Sequence, residues 1–165
     1  MAVKGQNRRN AHDVEGFRAS PRLSGNLQRV LVDLIELQLQ GKQAHWNVVG
    51  SNFRDLHLQL DELVDFARVS SDTVAERMRA LDAVPDGRSE VVAATTTIPE
   101  IPADEINSDD AVEKITAAIY AAVSTLREVR EDVDEEDPNS TGILDEVTEG
   151  LEKLAWLIKS ENRKA

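Results

Sequence analysis

Of the three histidines in this 165-residue chain, two, His45 and His57, flank a short break at Gly50-Ser51-Asn52. Beyond His57 the acidic residues Asp61, Asp72 and Glu76 follow on a stretch that reads as one long helix. At about 100° per residue, His57, Asp61, Asp72 and Glu76 fall at about 0°, 40°, 60° and 100°, so all four face one side. Imidazole and carboxylate together suit Fe(II), Mn(II) or Zn(II), whereas Ca(II) and Mg(II) favour cages built from oxygen. Iron is the first choice. Two imidazoles and three carboxylates exceed the needs of one tetrahedral structural ion and leave room for a second ion and an oxidant. The plainer reading of the same residues is a solvated charged face, and an ion-pair network would look similar.

Distance along the helix restricts the choice. With a rise of about 1.5 Å per residue, Asp61 and Asp72 lie about 16 Å apart and His57 and Glu76 about 28 Å apart, so one helix cannot gather them around one metal. An antiparallel second copy can. The pairs His57/Glu76, Asp61/Asp72 and Asp65/Arg68 share one midpoint, between Phe66 and Ala67. A two-fold axis there sets imidazole against carboxylate near each end and Asp65 against an arginine nearer the axis. Such an isologous contact gives two identical sites per dimer. Each would hold His45, His57 and Asp61 from one copy with Asp72 and Glu76 from the other.

Four helices are predicted to position these residues, and no stretch reads as a convincing strand. Between Asn26 and Asn47 the residues Leu27, Val30, Leu31, Leu34, Ile35 and Leu37 are apolar almost all round, which predicts burial on more than one side. Gly50 stops that helix, and Asn52 is placed to cap a second whose stripe runs Phe53, Leu56, Leu60, Leu63, Ala67, Val74, Met78 and Leu81. Residues 88–108 hold two of the five prolines and a Thr95-Thr96-Thr97 run, which suits a long crossover with at most a short helical turn. A third helix starts at Ser108 and carries apolar residues at spacings of three and four from Val112 to Val133. Asp137-Pro138 reads as a cap and first helical position for a fourth, with Ile143, Val147, Leu151, Leu154 and Ile158 as its stripe. The expected fold is all-α: a ferritin-like four-helix bundle with a long crossover between the second and third helices. The expected organisation is a flexible basic N-terminal tail over 1–22, the bundle over 23–160 and a short C-terminal tail over 161–165. The bundle contains no Glu-x-x-His, so a di-iron centre inside a single bundle is not available.

Composition narrows the function further. Without cysteine there is no disulfide framework, no Cys-ligated zinc or iron–sulfur centre and no thiol catalysis. The formal net charge is -12, yet residues 1–22 set Lys4, Arg8, Arg9, Arg18 and Arg22 against Asp13 and Glu15, and Lys159, Arg163 and Lys164 lie near the other end. An acidic body repels a phosphate backbone and engages it only through such ends. Two Trp, one Tyr and three Phe are too few for a base-stacking platform. No apolar run approaches the roughly 20 residues of a membrane span, and no signal-peptide core is present, so a cytoplasmic protein is expected, with nucleoid association tied to DNA binding.

The run His45-Trp46-Asn47-Val48-Val49-Gly50-Ser51-Asn52-Phe53-Arg54-Asp55-Leu56-His57, followed by Asp61, Asp72 and Ala75-Glu76-Arg77, resembles the signature of the Dps family, the mini-ferritins named as DNA-binding proteins from starved cells. The likeness covers roughly residues 26–160 and includes Leu151-Glu152-Lys153-Leu154-Ala155-Trp156. It implies a hollow shell of twelve subunits that oxidises Fe(II) at sites shared across two-fold interfaces, prefers hydrogen peroxide to dioxygen, stores ferric mineral and so protects DNA. By the same resemblance His45, His57 and Asp61 join Asp72 and Glu76 of a neighbour as ferroxidase ligands, with room for two iron ions per site. Trp46 matches a position that takes up a stray oxidising equivalent, with interface packing as the alternative. The acids Asp132, Asp134, Glu135, Glu136, Asp137, Asp145, Glu146 and Glu149 fall where the family builds carboxylate-lined pores, which Gly142 would leave less acidic. Trp156 is expected in the core or an interface. The basic tail implies only weak, salt-sensitive DNA association, multiplied by twelve copies. Two other readings stand beside this one: a DNA-packing or structural assembly with little ferroxidase activity, and a non-redox store for zinc or manganese.

Overall fold

The computed structural model describes residues 15–163. Lys4, Arg8 and Arg9, on which the DNA-binding expectation chiefly rests, lie outside them. In chain order the elements are α1 (Pro21–Asn47), β1 (Val48–Val49), α2 (Phe53–Ala80), α3 (Ser89–Thr95), β2 (Ile106–Asn107), α4 (Ser108–Glu136) and α5 (Pro138–Ser160). The long helices α1, α2, α4 and α5 form the bundle, with α1 packed on both α2 and α4, and α5 closing the square against α4 and α2. This is the all-α, ferritin-like arrangement that the periodicities predict.

Helix α1 begins earlier than its apolar pattern. Proline at its first position has no amide to leave unsatisfied, and the Ser20 hydroxyl accepts from the Leu23 amide at 3.1 Å. The Ser20 amide and hydroxyl in turn donate to the Glu136 carboxylate at 2.8 and 2.6 Å, which joins the start of α1 to the end of α4. Of the residues in the all-round pattern, Leu27, Val30, Leu31, Leu34 and Leu37 are buried and Ile35 is half-buried, and Leu23 and Val32 are buried beside them. Each leucine removed from water contributes about 1.5–3 kcal/mol. Helices α2 and α5 approach so closely at Gly150 that a Cβ there would lie 2.1 Å from Cζ of Phe66.

The crossover departs from expectation in two places. A seven-residue helix, α3, buries Val92, and β2 pairs in parallel with β1 through Val48↔Ile106 and Val49↔Asn107. Neither element is long enough to show a period. The two-residue ladder matters because β1 is the turn between α1 and α2, so the returning chain braces that turn. The Asn52 cap is also corrected: Asn52 adopts φ 57° and its side chain makes no capping bond, since the left-handed backbone aims it away from the first turn.

At the α4–α5 corner Asp137 is buried. Its carboxylate accepts from the Ser140 hydroxyl and, at 2.7 Å, from the Arg77 guanidinium, whose Nε donates to Ser140 Oγ at 3.0 Å. Burial pushes this carboxyl up, but Ser140 and Arg77 outweigh it and hold it below the ordinary aspartate value. A carboxyl whose pKa is depressed on folding stabilises the fold above its unfolded pKa of about 3.9 and loses that contribution as the pH falls through the folded pKa. Asp137→Asn is therefore expected to cost about 2 kcal/mol at pH 7, a drop of several degrees in Tm. Melting wild type and variant at pH 7 and pH 3 should show the gap narrowing in acid; an unchanged gap would mean that the charge is not what holds the corner.

Candidate metal centre

His45 lies in the last turn of α1 and His57 in the second turn of α2, so the connection between them decides whether they meet. That connection reverses the chain through Gly50 at φ 108°, a backbone that glycine adopts without strain, and Asn52 in the left-handed region. The imidazoles stack with centroids 3.7 Å apart and planes 20° from parallel, and the Phe53 ring lies 5.2 Å from that of His57. His45 is buried and His57 half-buried.

The two rings are fixed reciprocally. His45 Nδ1 donates to the His57 carbonyl oxygen at 2.9 Å, and His57 Nδ1 donates to the His45 carbonyl oxygen at 2.9 Å. A carbonyl can only accept, so Nδ1 carries the proton in both rings. Neutral rings in this tautomer present the Nε2 lone pair, which is the form that a metal ligand needs.

Asp61 joins them one turn further along α2. Its Oδ1 lies 3.3 Å from His45 Nδ1 and pairs with the Lys42 ammonium, which, ahead of the opposing effect of burial, holds the carboxyl below the ordinary aspartate range. Lys42 escaped the sequence reading. Its signal was its place three residues before His45 on the same helix, where the two share a face.

Asp72 and Glu76 do not reach this cluster within one chain. Both are exposed on α2. Among the described residues no three His, Asp or Glu side chains of one chain stand together as a metal site. The face that carries them repeats at three and four residues through Leu58, Asp61, Asp65, Val69, Asp72 and Glu76, and its apolar members remain exposed, Val69 at 66%. Beside Asp72 opens a hollow of about 530 Å³ lined by Leu31, Ile35, Arg68, Val69 and Pro85 among others. Trp46, next to His45, is 70% exposed and so packs on little in its own chain. Trp156 is 61% exposed, which removes the core reading and leaves the interface one.

Much of the acidic stretch at the α4–α5 corner is already neutralised. Arg22 pairs with Asp132 and Glu135, Arg77 with Asp137, and Arg130 with Asp145 through two bonds of 2.7 and 2.8 Å. Asp134, Glu146 and Glu149 have no ion pair among the described residues. Arg18 pairs with Asp82 at 3.2 Å, so two of the five basic residues counted toward the N-terminal tail are engaged by acids of the chain's own body.

A ferritin-like domain model matches residues 25–164. The chain is 33% identical over 134 residues to the DNA protection during starvation protein 2 of Deinococcus radiodurans, covering 81% of this chain and 56% of that one. It is 38% identical over 134 residues to the fine tangled pili major subunit of Haemophilus ducreyi, covering 81% and 71%. The chain thus spans little more than half the length of the first of these relatives. Among solved structures, Dps from Microbacterium arborescens in its high-iron form superposes with a TM-score of 0.81 at 33% identity, covering 88% of this chain and 98% of that one.

Proposed function

The chain belongs to the ferritin-like Dps family, and from that premise we propose that it is a ferroxidase and iron-storage shell that oxidises Fe(II), preferably with hydrogen peroxide, and thereby protects DNA. Iron here is substrate. The observation that carries the reading is the reciprocal Nδ1-to-carbonyl pairing of His45 and His57, which leaves Nε2 of both rings without a hydrogen bond among the described residues, with Asp61 Oδ1 3.3 Å from His45 Nδ1.

The remaining donors, Asp72 and Glu76, are assigned to a second copy across a two-fold axis between Phe66 and Ala67. Their exposure on the unpartnered face of α2, together with Val69 and Leu58, supports that assignment. Each site would take two Fe(II) ions in a dodecamer like those expected of the family. Two Fe(II) ions give one electron each to one hydrogen peroxide, its O–O bond breaks, and two protons complete two waters. Hydroxyl radical is then not released. Trp46 is assigned the role of catching an oxidising equivalent that escapes. With Arg18 and Arg22 already paired, direct DNA contact falls to the remaining tail residues and is weak and salt-sensitive. No helix among the described residues is long and apolar enough to cross a membrane.

The test is stopped-flow absorbance of ferric formation on mixing the assembled protein with Fe(II) and limiting peroxide, beside a His45→Ala, Asp72→Ala double variant. Oxidation at about two irons per peroxide is expected in the wild type. Loss of even an outer-shell partner costs about 10–100-fold, so loss of two ligands should slow the reaction at least about a hundredfold. Equal rates would mean that the constellation is structural, and a DNA-packing assembly would become the better reading.

A further inference from the structure

Among the described residues, the only carboxylate that one chain brings to its two imidazoles, Asp61, is already bound by a cation of the same chain. Lys42 reaches from α1 across to α2 and places its ammonium on Asp61 Oδ1, the same oxygen that lies 3.3 Å from His45 Nδ1. Asp61 Oδ2 accepts no hydrogen bond among the described residues. We propose that Lys42 sets the divalent-cation affinity of this site: it keeps Asp61 a one-oxygen ligand and cancels its charge, so that the site binds its cation weakly. The proposal rests on the ferroxidase reading of the site and adds to it a residue that lowers affinity.

The argument is one of charge and geometry. Asp61 and Lys42 cancel in charge, so this half-site offers a divalent ion imidazole lone pairs but no net negative charge, which falls to Asp72 and Glu76 of the second copy. A cation arriving at Oδ1 must push the ammonium away, and one arriving at Oδ2 alone feels like charge a few ångströms off. An ordinary surface pair would be an alternative. Against it, the Lys42 and Asp61 side chains keep only 31% and 41% of their exposure, and the pair adjoins a buried imidazole. Weak binding also suits an ion that is substrate, since binding the reactant tightly does not by itself speed its conversion.

The experiment is calorimetric titration of the intact assembly with Zn(II), a probe that neither turns over nor consumes oxidant. Wild type, Lys42→Met, Lys42→Arg and His57→Ala are compared. Lys42→Met keeps the apolar stem and removes the charge; it is expected to bind Zn(II) about tenfold more tightly, while Lys42→Arg stays within about threefold of wild type. Equal or weaker binding by Lys42→Met, with binding lost in His57→Ala, would overturn the proposal and leave the site reading intact. Unchanged binding in His57→Ala would overturn the site reading, and the proposal with it.

Discussion

Assemblies built from a mixture of two inactive variants are expected to regain iron oxidation that neither variant has alone. One variant carries His45→Ala and His57→Ala, the other Asp72→Ala and Glu76→Ala. If each site draws its imidazoles from one chain and two carboxylates from the other, either parent lacks half of every site and should fall at least about a hundredfold. In a mixed dimer the losses sort unequally: one site lacks both halves and the other is complete. Random mixing makes about half of the dimers mixed, so about a quarter of the wild-type sites should return. The expectation follows from distance, because no fold of α2 brings residues separated by about 28 Å of helix to one ion. Ferric absorbance after co-expression with two affinity tags measures it. Mixtures as inactive as their parents, in variants that still assemble, would place all of the working ligands in one chain and sink the intersubunit assignment.

How much of this was legible beforehand follows from which forces have a period. The bundle was legible because burial of one face imposes spacings of three and four, which run unbroken from Val112 to Val133. The His57-to-Glu76 face was legible for the same reason, since rise and angle are properties of any helix. Lys42 was not, because a lone lysine between Gly41 and Gln43 reads as solvated unless the facing helix, which carries Asp61, is known. The tautomers of His45 and His57 were not either: each depends on the carbonyl of the other, and hence on the reversal at Gly50 and Asn52. The capping role expected of Asn52 failed at the same reversal, where the positive φ turns its side chain away. The choice between core and interface for Trp156 was not legible either, because its place on α5 is set by Leu151, Ala155 and Ile158, which take the buried face.

Asp33→Ala is expected to be among the most destabilising single substitutions in the chain. Asp33 lies in the middle of α1 and is only 2% exposed, yet no lysine, arginine or histidine pairs with it among the described residues. Its charge is met by four donors instead: Thr96 Oγ1 at 3.0 Å and the Thr97 amide, Thr97 Oγ1 and Thr125 Oγ1 at 2.7 Å each. Hydrogen bonds to an ion are about twice as strong as neutral ones, which is how a buried carboxylate is held without a counter-ion. The threonine run that reads in sequence as loose crossover is thus the clamp that ties the crossover to α1 and α4. Replacing the carboxylate with a methyl group removes all four acceptor contacts. The Thr97 groups can turn to water, whereas the buried Thr125 hydroxyl cannot, so a cost of about 3 kcal/mol is expected, or a Tm lower by about 10 °C at matched protomer concentration. Asp33→Asn keeps one acceptor oxygen and should lose less, about 1–2 kcal/mol. The effect should reach the metal centre as well, because the freed crossover leads directly into β2, and β2 braces the turn that brings His45 to His57. Limited proteolysis should therefore cut Asp33→Ala within residues 96–105 under conditions that spare the wild type. If Asp33→Ala instead melts within about 2 °C of the wild type, the threonine bonds are bystanders and packing of Ile98, Ile101 and Ile106 against the core holds the crossover alone.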